Sequence, residues 1–294
     1  MKALSTKHNF LGIEDENFYS YEKSKVVIQQ VPYEYTSSYL AGSDKGPKAI
    51  VKASQFVELY DEELDRESYK QFGIATLKPL DFKNKHDKKA VDYIETETTK
   101  LLNDKKYVVS FGAEHTVTYG FVKAFAKKFK NISVLQIDAH SDLRESYHNN
   151  PYSHASVMKR VHDMGINLVQ IGIRAQCVEE SQLIKKSKNI HTYYAHTIRN
   201  DAKWAGKALN DLTENVYLTI DADGFDPSIM PAVGTAEPRG LFWEETLNFL
   251  KTVAEKKNII GFDIVECAPI KGSILSEYTL AKLAYRLMGY IHKK

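Results

Sequence analysis

The stretch Asp138-Ala139-His140-Ser141-Asp142 sets three metal-binding side chains at alternate positions, directly after the apolar run Val134-Leu135-Gln136-Ile137. In an extended chain, residues two apart share one side, so the two carboxylates and the imidazole can converge on one point. A second such element, Asp221-Ala222-Asp223, follows the strand-like run Val216-Tyr217-Leu218-Thr219-Ile220, and His115 comes soon after Tyr107-Val108-Val109-Ser110-Phe111. Six candidate ligands (His115, Asp138, His140, Asp142, Asp221 and Asp223) therefore sit at the C-terminal ends of three expected strands. One structural ion does not need so many, and the set points to a two-metal catalytic site. Oxygen-rich ligation with few imidazoles and no thiolate favours a hard ion such as Mn²⁺ over structural Zn²⁺. Two such ions about 3.5–4 Å apart can hold a hydroxide at neutral pH, which is the equipment for hydrolysis at an unreactive carbon.

Each motif also has a plainer explanation, because Asp and Ser commonly cap helices or sit in solvated turns. Asp221 and Asp223 argue against it: two carboxylates at an apolar strand end repel each other unless cations lie between them. For Asp226, just before Pro227, the turn explanation holds, and its side chain is expected to accept from backbone N–H groups of its loop. Glu114, beside His115, suits a capping or supporting role. Glu266 stands just past the last expected strand, and His154 lies between the acidic clusters. Spacing alone leaves both open between chemistry and a cap.

Strands must present these residues. Short β-branched or aromatic runs predict strands at 26–31, 73–76, 107–111, 133–137, 168–173, 190–194, 216–220 and 259–264. Several are apolar throughout, as strands buried on both faces are. Helical patterns lie between them at 47–59, 88–102, 117–130, 154–164, 178–187, 201–212, 243–256 and 276–291. The alternation predicts an α/β fold: a three-layer αβα sandwich whose central sheet is mostly parallel and has about eight strands. Ligands of such sheets bind beyond the carboxyl ends of the strands, where the motifs lie. No repeat or linker divides the chain, so a single domain over residues 1–294 is expected.

Composition excludes several classes of partner. With 40 basic against 38 acidic residues and a formal charge of +2, nothing favours nucleic acid or an anionic membrane. No apolar run reaches transmembrane length or forms a signal core. Cys177 and Cys267, far apart, give neither a disulfide framework nor a thiolate site, and the expected location is cytoplasmic. A small molecule is the expected partner.

In order along the chain, Gly112-Ala113-Glu114-His115, Asp138-Ala139-His140-Ser141-Asp142 and Asp221-Ala222-Asp223-Gly224-Phe225-Asp226-Pro227, running on to Gly234-Thr235, resemble the signatures of the arginase/agmatinase family of ureohydrolases. Gly46-Pro47-Lys48-Ala49-Ile50, followed by Leu59-Tyr60-Asp61, is similar to the family's opening helix, so the resemblance covers nearly the whole chain. It implies an arginase-like fold, two Mn²⁺ per subunit and a homo-oligomer, trimeric or hexameric. By the resemblance His115, Asp138, Asp142 and Asp221 hold one ion, and Asp138, His140, Asp221 and Asp223 the other. Asp142 also orients the hydroxide, Glu266 binds the substrate guanidinium, His154 is the general acid/base or proton shuttle, and Thr235 helps to shape the guanidinium site.

The loop Leu143-Arg144-Glu145-Ser146-Tyr147-His148, leading to Tyr152-Ser153-His154, resembles the agmatinase version and lacks the asparagine and serine groups with which arginases receive a carboxylate. Ile171-Gly172-Ile173-Arg174-Ala175-Gln176-Cys177 likewise has no acid for an α-amino group. Agmatine, hydrolysed to putrescine and urea, is therefore the expected substrate. Guanidinobutyrate, arginine and formimidoylglutamate are the alternatives, and a non-catalytic metal-binding regulatory homologue is the rival of another class. The chain departs from the family pattern at Ala113, Glu114, Ala155, Ala236 and Arg239, none of them a ligand. Arg239 is expected to add a cation near the substrate entrance.

Overall fold

The apolar runs become eight strands: β1 (Val26–Val31), β2 (Ile74–Thr76), β3 (Tyr107–Gly112), β4 (Ile132–Ile137), β5 (Asn167–Ile173), β6 (Ile190–Tyr194), β7 (Asn215–Asp221) and β8 (Asn258–Val265). They form one sheet in the order β2-β1-β3-β8-β7-β4-β5-β6, in a computed structural model that describes residues 1–293. Every pairing is parallel, which sharpens the expected mostly parallel sheet. Parallel neighbours cannot be joined by hairpins, and the helices supply the long crossovers.

Side-chain alternation explains why the strands read as apolar throughout. Along β1, Val26 and Ile28 pack on one helical layer, while Val27 and Val31 pack on the other. The same split divides Leu135 and Ile137 from Val134 in β4, and Leu218 and Ile220 from Tyr217 in β7. Helices Gly46–Ser54, Trp243–Lys256 and Leu275–Ile291 cover the first face, and Asp87–Asn103, Val117–Lys128 and Val157–Asp163 the second. The result is the expected three-layer αβα arrangement. Each fully buried aliphatic or Phe side chain stabilises it by about 1.5–3 kcal/mol relative to exposure.

Helix ends differ from the pattern where side chains compete with the backbone. The helix expected over 47–59 stops at Ser54, whose hydroxyl donates to the Val51 carbonyl at 2.7 Å while accepting the Leu11 N–H at 2.8 Å. The helix expected from 201 starts at Trp204, because the Asp201 side chain first accepts the Lys203 N–H in a turn of its own at 2.9 Å. The segment expected as one helix over 154–164 is a single 3₁₀ turn, His154–Ser156, followed by Val157–Asp163. There the Asp142 carbonyl accepts the Met158 and Lys159 N–H groups at 2.9 and 3.1 Å, which fastens the new helix to the second motif. Among the described residues no helix is long and apolar enough to cross a membrane.

Beyond the last helix, His292 packs against Phe72 and Tyr107, with ring centroids 4.9 and 4.7 Å away. Burial, reinforced by the Lys25 charge, pushes its pKa from 6.5 down to about 4. The unfolded chain takes up this proton below 6.5 and the folded one not until about 4, so stability is full above pH 6.5 and falls across that window. His292→Phe is expected to keep the ring contacts and to recover on the order of 2 kcal/mol at about pH 5 relative to about pH 7.5. Urea unfolding at both pH values measures this, and an unchanged pH dependence contradicts it.

Candidate active site

β3, β8, β7 and β4 lie side by side in the middle of the sheet, and all of them end at the same edge because all are parallel. β3 leads to Glu114 and His115, and β4 to Asp138, His140 and Asp142. β7 ends on Asp221 and turns through Asp223, while β8 leads to Glu266. Four neighbouring strand ends thus deliver the six candidate ligands and Glu266 to one place.

His115 Nδ1 lies 3.0, 3.1 and 3.3 Å from carboxylate oxygens of Asp138, Asp142 and Asp221. His140 Nδ1 lies 3.0 Å from Asp223 and 3.8 Å from Asp138. Two groups bring ligand atoms close enough for an ion: His115, Asp138 and Asp142, and Asp138, His140 and Asp223, with Asp138 common to both. Asp221 borders the first through His115 and is tied to the second by the Asp223 N–H, which donates to its Oδ1 at 2.9 Å.

His115 Nδ1 is buried and makes no hydrogen bond, although three carboxylates surround it. Leaving a buried polar atom unpaired costs about 1–3 kcal/mol, a penalty that a coordinated cation would remove. The four aspartates are themselves buried, and among the described residues no Lys or Arg comes within ion-pair distance of them. Burial first, and then neighbouring carboxylate charge, raises the pKa of Asp138 and Asp221 and pushes that of Asp142 up to about 7. Burial acts on Asp223 in the same sense, but the His140 imidazole overrides it and holds Asp223 below the usual carboxylate range. The crowded oxygens lack positive charge, and the donor set fits a hard divalent cation.

Tight packing fixes these turns. A Cβ on Gly224 would stand 2.8 Å from the Asp138 backbone nitrogen, so the turn after β7 rests directly on the turn after β4. The Arg174 guanidinium donates to the carbonyls of Asp223 at 2.6 Å, Gly224 at 3.3 Å and Phe225 at 3.3 Å, clamping the acidic turn from behind. Asp142 and Glu266 adopt φ of +53° and +62°, a left-handed backbone that non-glycine residues seldom hold without strong surrounding constraints.

A cavity of about 250 Å³ opens over the carboxylates, lined also by His154, Thr235 and Glu266, with Tyr39, Leu40 and Tyr147 on its walls. Glu266 accepts the His115 N–H at 2.7 Å; burial and the nearby Glu114 raise its pKa well above the ordinary value. Thr235 Oγ1 donates to Asp223 at 3.4 Å. His154 is pushed down to about 4 by burial and then by the charges of His140 and His115, so its ring is neutral near pH 7. Every candidate residue of the sequence is therefore at this cavity or directly beneath it.

Three contributors escaped the sequence. Thr36, in the loop after β1, touches both Glu114 and His154 at 3.1 Å across separations of 78 and 118 residues, which no local pattern reports. Glu180 lines the cavity and accepts the Leu143 and Cys177 N–H groups at 2.8 and 2.6 Å. It lies three residues past Cys177, in the first turn of the helix Val178–Lys186. Arg174 carried no signal at all. Glu114 does take a supporting place, accepting the Tyr35 and Thr36 N–H groups at 3.0 and 2.6 Å, and Asp226 accepts those of Ser228 and Gly240 at 3.1 and 3.0 Å. Arg239 is not among the residues lining this cavity; it lines a neighbouring one of about 590 Å³ with Arg174, Lys185 and Tyr194, and Gln176 borders both. The Gly240–Asp226 bond holds its loop.

The Arginase family profile matches residues 24–289. The chain is 43% identical over 284 residues to the N(1)-aminopropylagmatine ureohydrolase of Synechocystis sp., spanning 95% of this chain and 92% of the relative. It is 36% identical over 259 residues to the agmatinase of Bacillus cereus, spanning 85% and 86%. Among solved structures, the agmatine ureohydrolase of Thermoplasma volcanium superposes with a TM-score of 0.83 at 27% identity, covering 100% of this chain and 95% of that one.

Divalent cation binding should stabilise the fold through these ligands. Mn²⁺ at about 100 times its Kd is expected to add about 2.7 kcal/mol, visible as a rise in Tm. Asp138→Asn changes the carboxylate common to both groups and is expected to abolish the rise. A variant that still binds Mn²⁺ with native affinity by calorimetry would sink the assignment.

Proposed function

The chain belongs to the arginase family and is a ureohydrolase acting on guanidino compounds, and from this premise we propose N(1)-aminopropylagmatine as its substrate, hydrolysed to urea and a triamine with two Mn²⁺ in the site. The observation that carries the chemistry is the convergence of His115, Asp138, His140, Asp142, Asp221 and Asp223 beneath a cavity that also holds Glu266 and His154. Divalent ions bound by these side chains supply an activated water and offset the charge that develops during attack.

The remaining steps belong to the protein's own groups. Glu266 receives the guanidinium, whose planar fork of N–H donors suits a carboxylate. Burial and the nearby Glu114 disfavour the charge of Glu266, and a guanidinium beside it favours the carboxylate. Asp142 orients the attacking water, and Thr235 narrows the space beside Asp223. His154, neutral near pH 7, takes up the proton released by the attacking water and passes it to the departing amine as the carbon–nitrogen bond to the chain breaks.

For the substrate, the support is the 43% identity over 95% of the chain to a relative of that name. The aromatic rings of Tyr39 and Tyr147 in the cavity wall can also face a cationic chain. Agmatine is the second reading, favoured by the Bacillus cereus agmatinase and by a 143–154 loop without carboxylate-binding groups. A single catalytic domain, a homo-oligomer and a cytoplasmic setting complete the proposal on the strength of the resemblance and the two free cysteines.

Urea release from N(1)-aminopropylagmatine, agmatine, arginine and guanidinobutyrate, with Mn²⁺ supplied, tests the proposal. N(1)-aminopropylagmatine is expected to show kcat/KM at least about tenfold above agmatine, about 1.4 kcal/mol of discrimination. The reverse ranking selects the second reading, and no urea from any substrate by the metal-loaded protein overturns both. Glu266→Gln is expected to keep its Mn²⁺ while losing at least about 100-fold in kcat/KM; loss of metal would instead make Glu266 a ligand.

A further inference from the structure

Thr36 sits where three groups compete for one hydroxyl. Its Oγ1 lies 3.1 Å from Glu114 Oε2, 3.1 Å from His154 Nδ1, and 3.1 Å from the His154 backbone nitrogen. A threonine hydroxyl has one proton to donate and two lone pairs with which to accept. The His154 backbone N–H can only donate, so it occupies one lone pair. Glu114 Oε2 already accepts the Tyr35 and Thr36 N–H groups at 3.0 and 2.6 Å. A proton on this carboxyl would therefore reside on Oε1, which has no partner, and Oε2 stays an acceptor in either state. The hydroxyl proton must point to Glu114, and the second lone pair is left for His154 Nδ1. That bond exists only if Nδ1 carries the hydrogen.

We infer that Thr36 is a positioning residue that fixes His154 as the Nδ1–H tautomer, leaving the unprotonated Nε2 to face the cavity. The inference rests on the reading of His154 as the group that moves the proton there. The surroundings hold the arrangement in place. Glu114 is inaccessible to solvent, the Tyr35 ring stacks on His86 at 4.3 Å, and Tyr147 packs edge-on against His154 at 5.7 Å. Downstream, Glu34 accepts the Gly42 and Ser43 N–H groups at 2.8 and 3.2 Å, closing the loop that carries Tyr39 and Leu40 to the cavity. The residue that sets the imidazole thus stands in the same loop as two residues of the cavity wall.

Selective ¹⁵N-histidine labelling of the protein with diamagnetic Zn²⁺ in the site reads the tautomer. His154→Asn identifies its resonance among the 10 histidines. The native protein is expected to show Nδ1–H, and Thr36→Val a mixed or Nε2–H population. With Mn²⁺ bound, Thr36→Val is expected to lower kcat for urea release about 10- to 100-fold with KM within about twofold, and Thr36→Ser to restore kcat to within about threefold. An Nε2–H His154 in the native protein overturns the inference, as does a Thr36→Val protein that keeps the native tautomer, whatever its kcat. If His154→Asn releases urea at the native rate, the proton-transfer reading of His154 fails, while the tautomer measurement still decides the assignment of Thr36.

Discussion

Four aspartate carboxylates gathered out of water at one edge of the sheet impose the condition that the rest of the molecule answers. In low dielectric, like charges at these separations repel strongly, and no lysine or arginine among the described residues pairs with them. Arg174 comes close, but its guanidinium is spent on the carbonyls of Asp223, Gly224 and Phe225. It therefore fixes the shape of the acidic turn without neutralising it. The charge is left for something that enters from outside, and the left-handed backbone at Asp142 and Glu266 shows how firmly the chain is held in readiness.

The sheet meets this demand with a row of polar side chains where helix-facing apolar ones would be usual. Gln29, Ser110, Asp263, Thr219, Gln136, Gln170 and Thr192 are register neighbours from β1 across to β6. Thr219 bonds His115 Nε2 at 3.0 Å and Asp263 at 2.7 Å; Gln136 bonds Asp138 at 2.7 Å and is held by Gln170 at 2.6 Å, itself held by Thr192 at 2.8 Å. Burying so many polar groups is costly unless they satisfy one another, and a satisfied network is stiff. Apart from Gln29 Nε2, no side-chain atom of this row is a buried orphan. The ligands are thus aimed by a floor of hydrogen bonds that spans most of the sheet.

Much of this was legible because the governing signals are local. Asp138, His140 and Asp142 alternate within one turn, and the strands beneath them are apolar on both faces, so motif, strand end and fold class read directly from neighbouring residues. The helix ends were less legible, since Ser54 and Asp201 divert the backbone with their own side chains. Thr36 and Arg174 were invisible for a deeper reason: each acts on residues dozens of positions away, and only the closed sheet brings them together. Arg239 borders the neighbouring cavity, in a loop that the Asp226–Gly240 bond fixes across 14 residues.

The same geometry separates chemistry from substrate choice. The six candidate ligands and Glu266 come from the ends of β3, β8, β7 and β4 and the short turns continuing them. The far side of the cavity comes from the loop after β1 and the longer loop after β4, with Tyr39 and Leu40 76% and 57% exposed. If Glu266 fixes the guanidinium end, a longer amine chain can only extend outward along this rim. Relatives named for agmatine and for its aminopropyl derivative are 36% and 43% identical to this chain over 259 and 284 residues. Thr36 joins the two regions, since the loop that carries Tyr39 and Leu40 to the cavity wall also bonds the His154 imidazole.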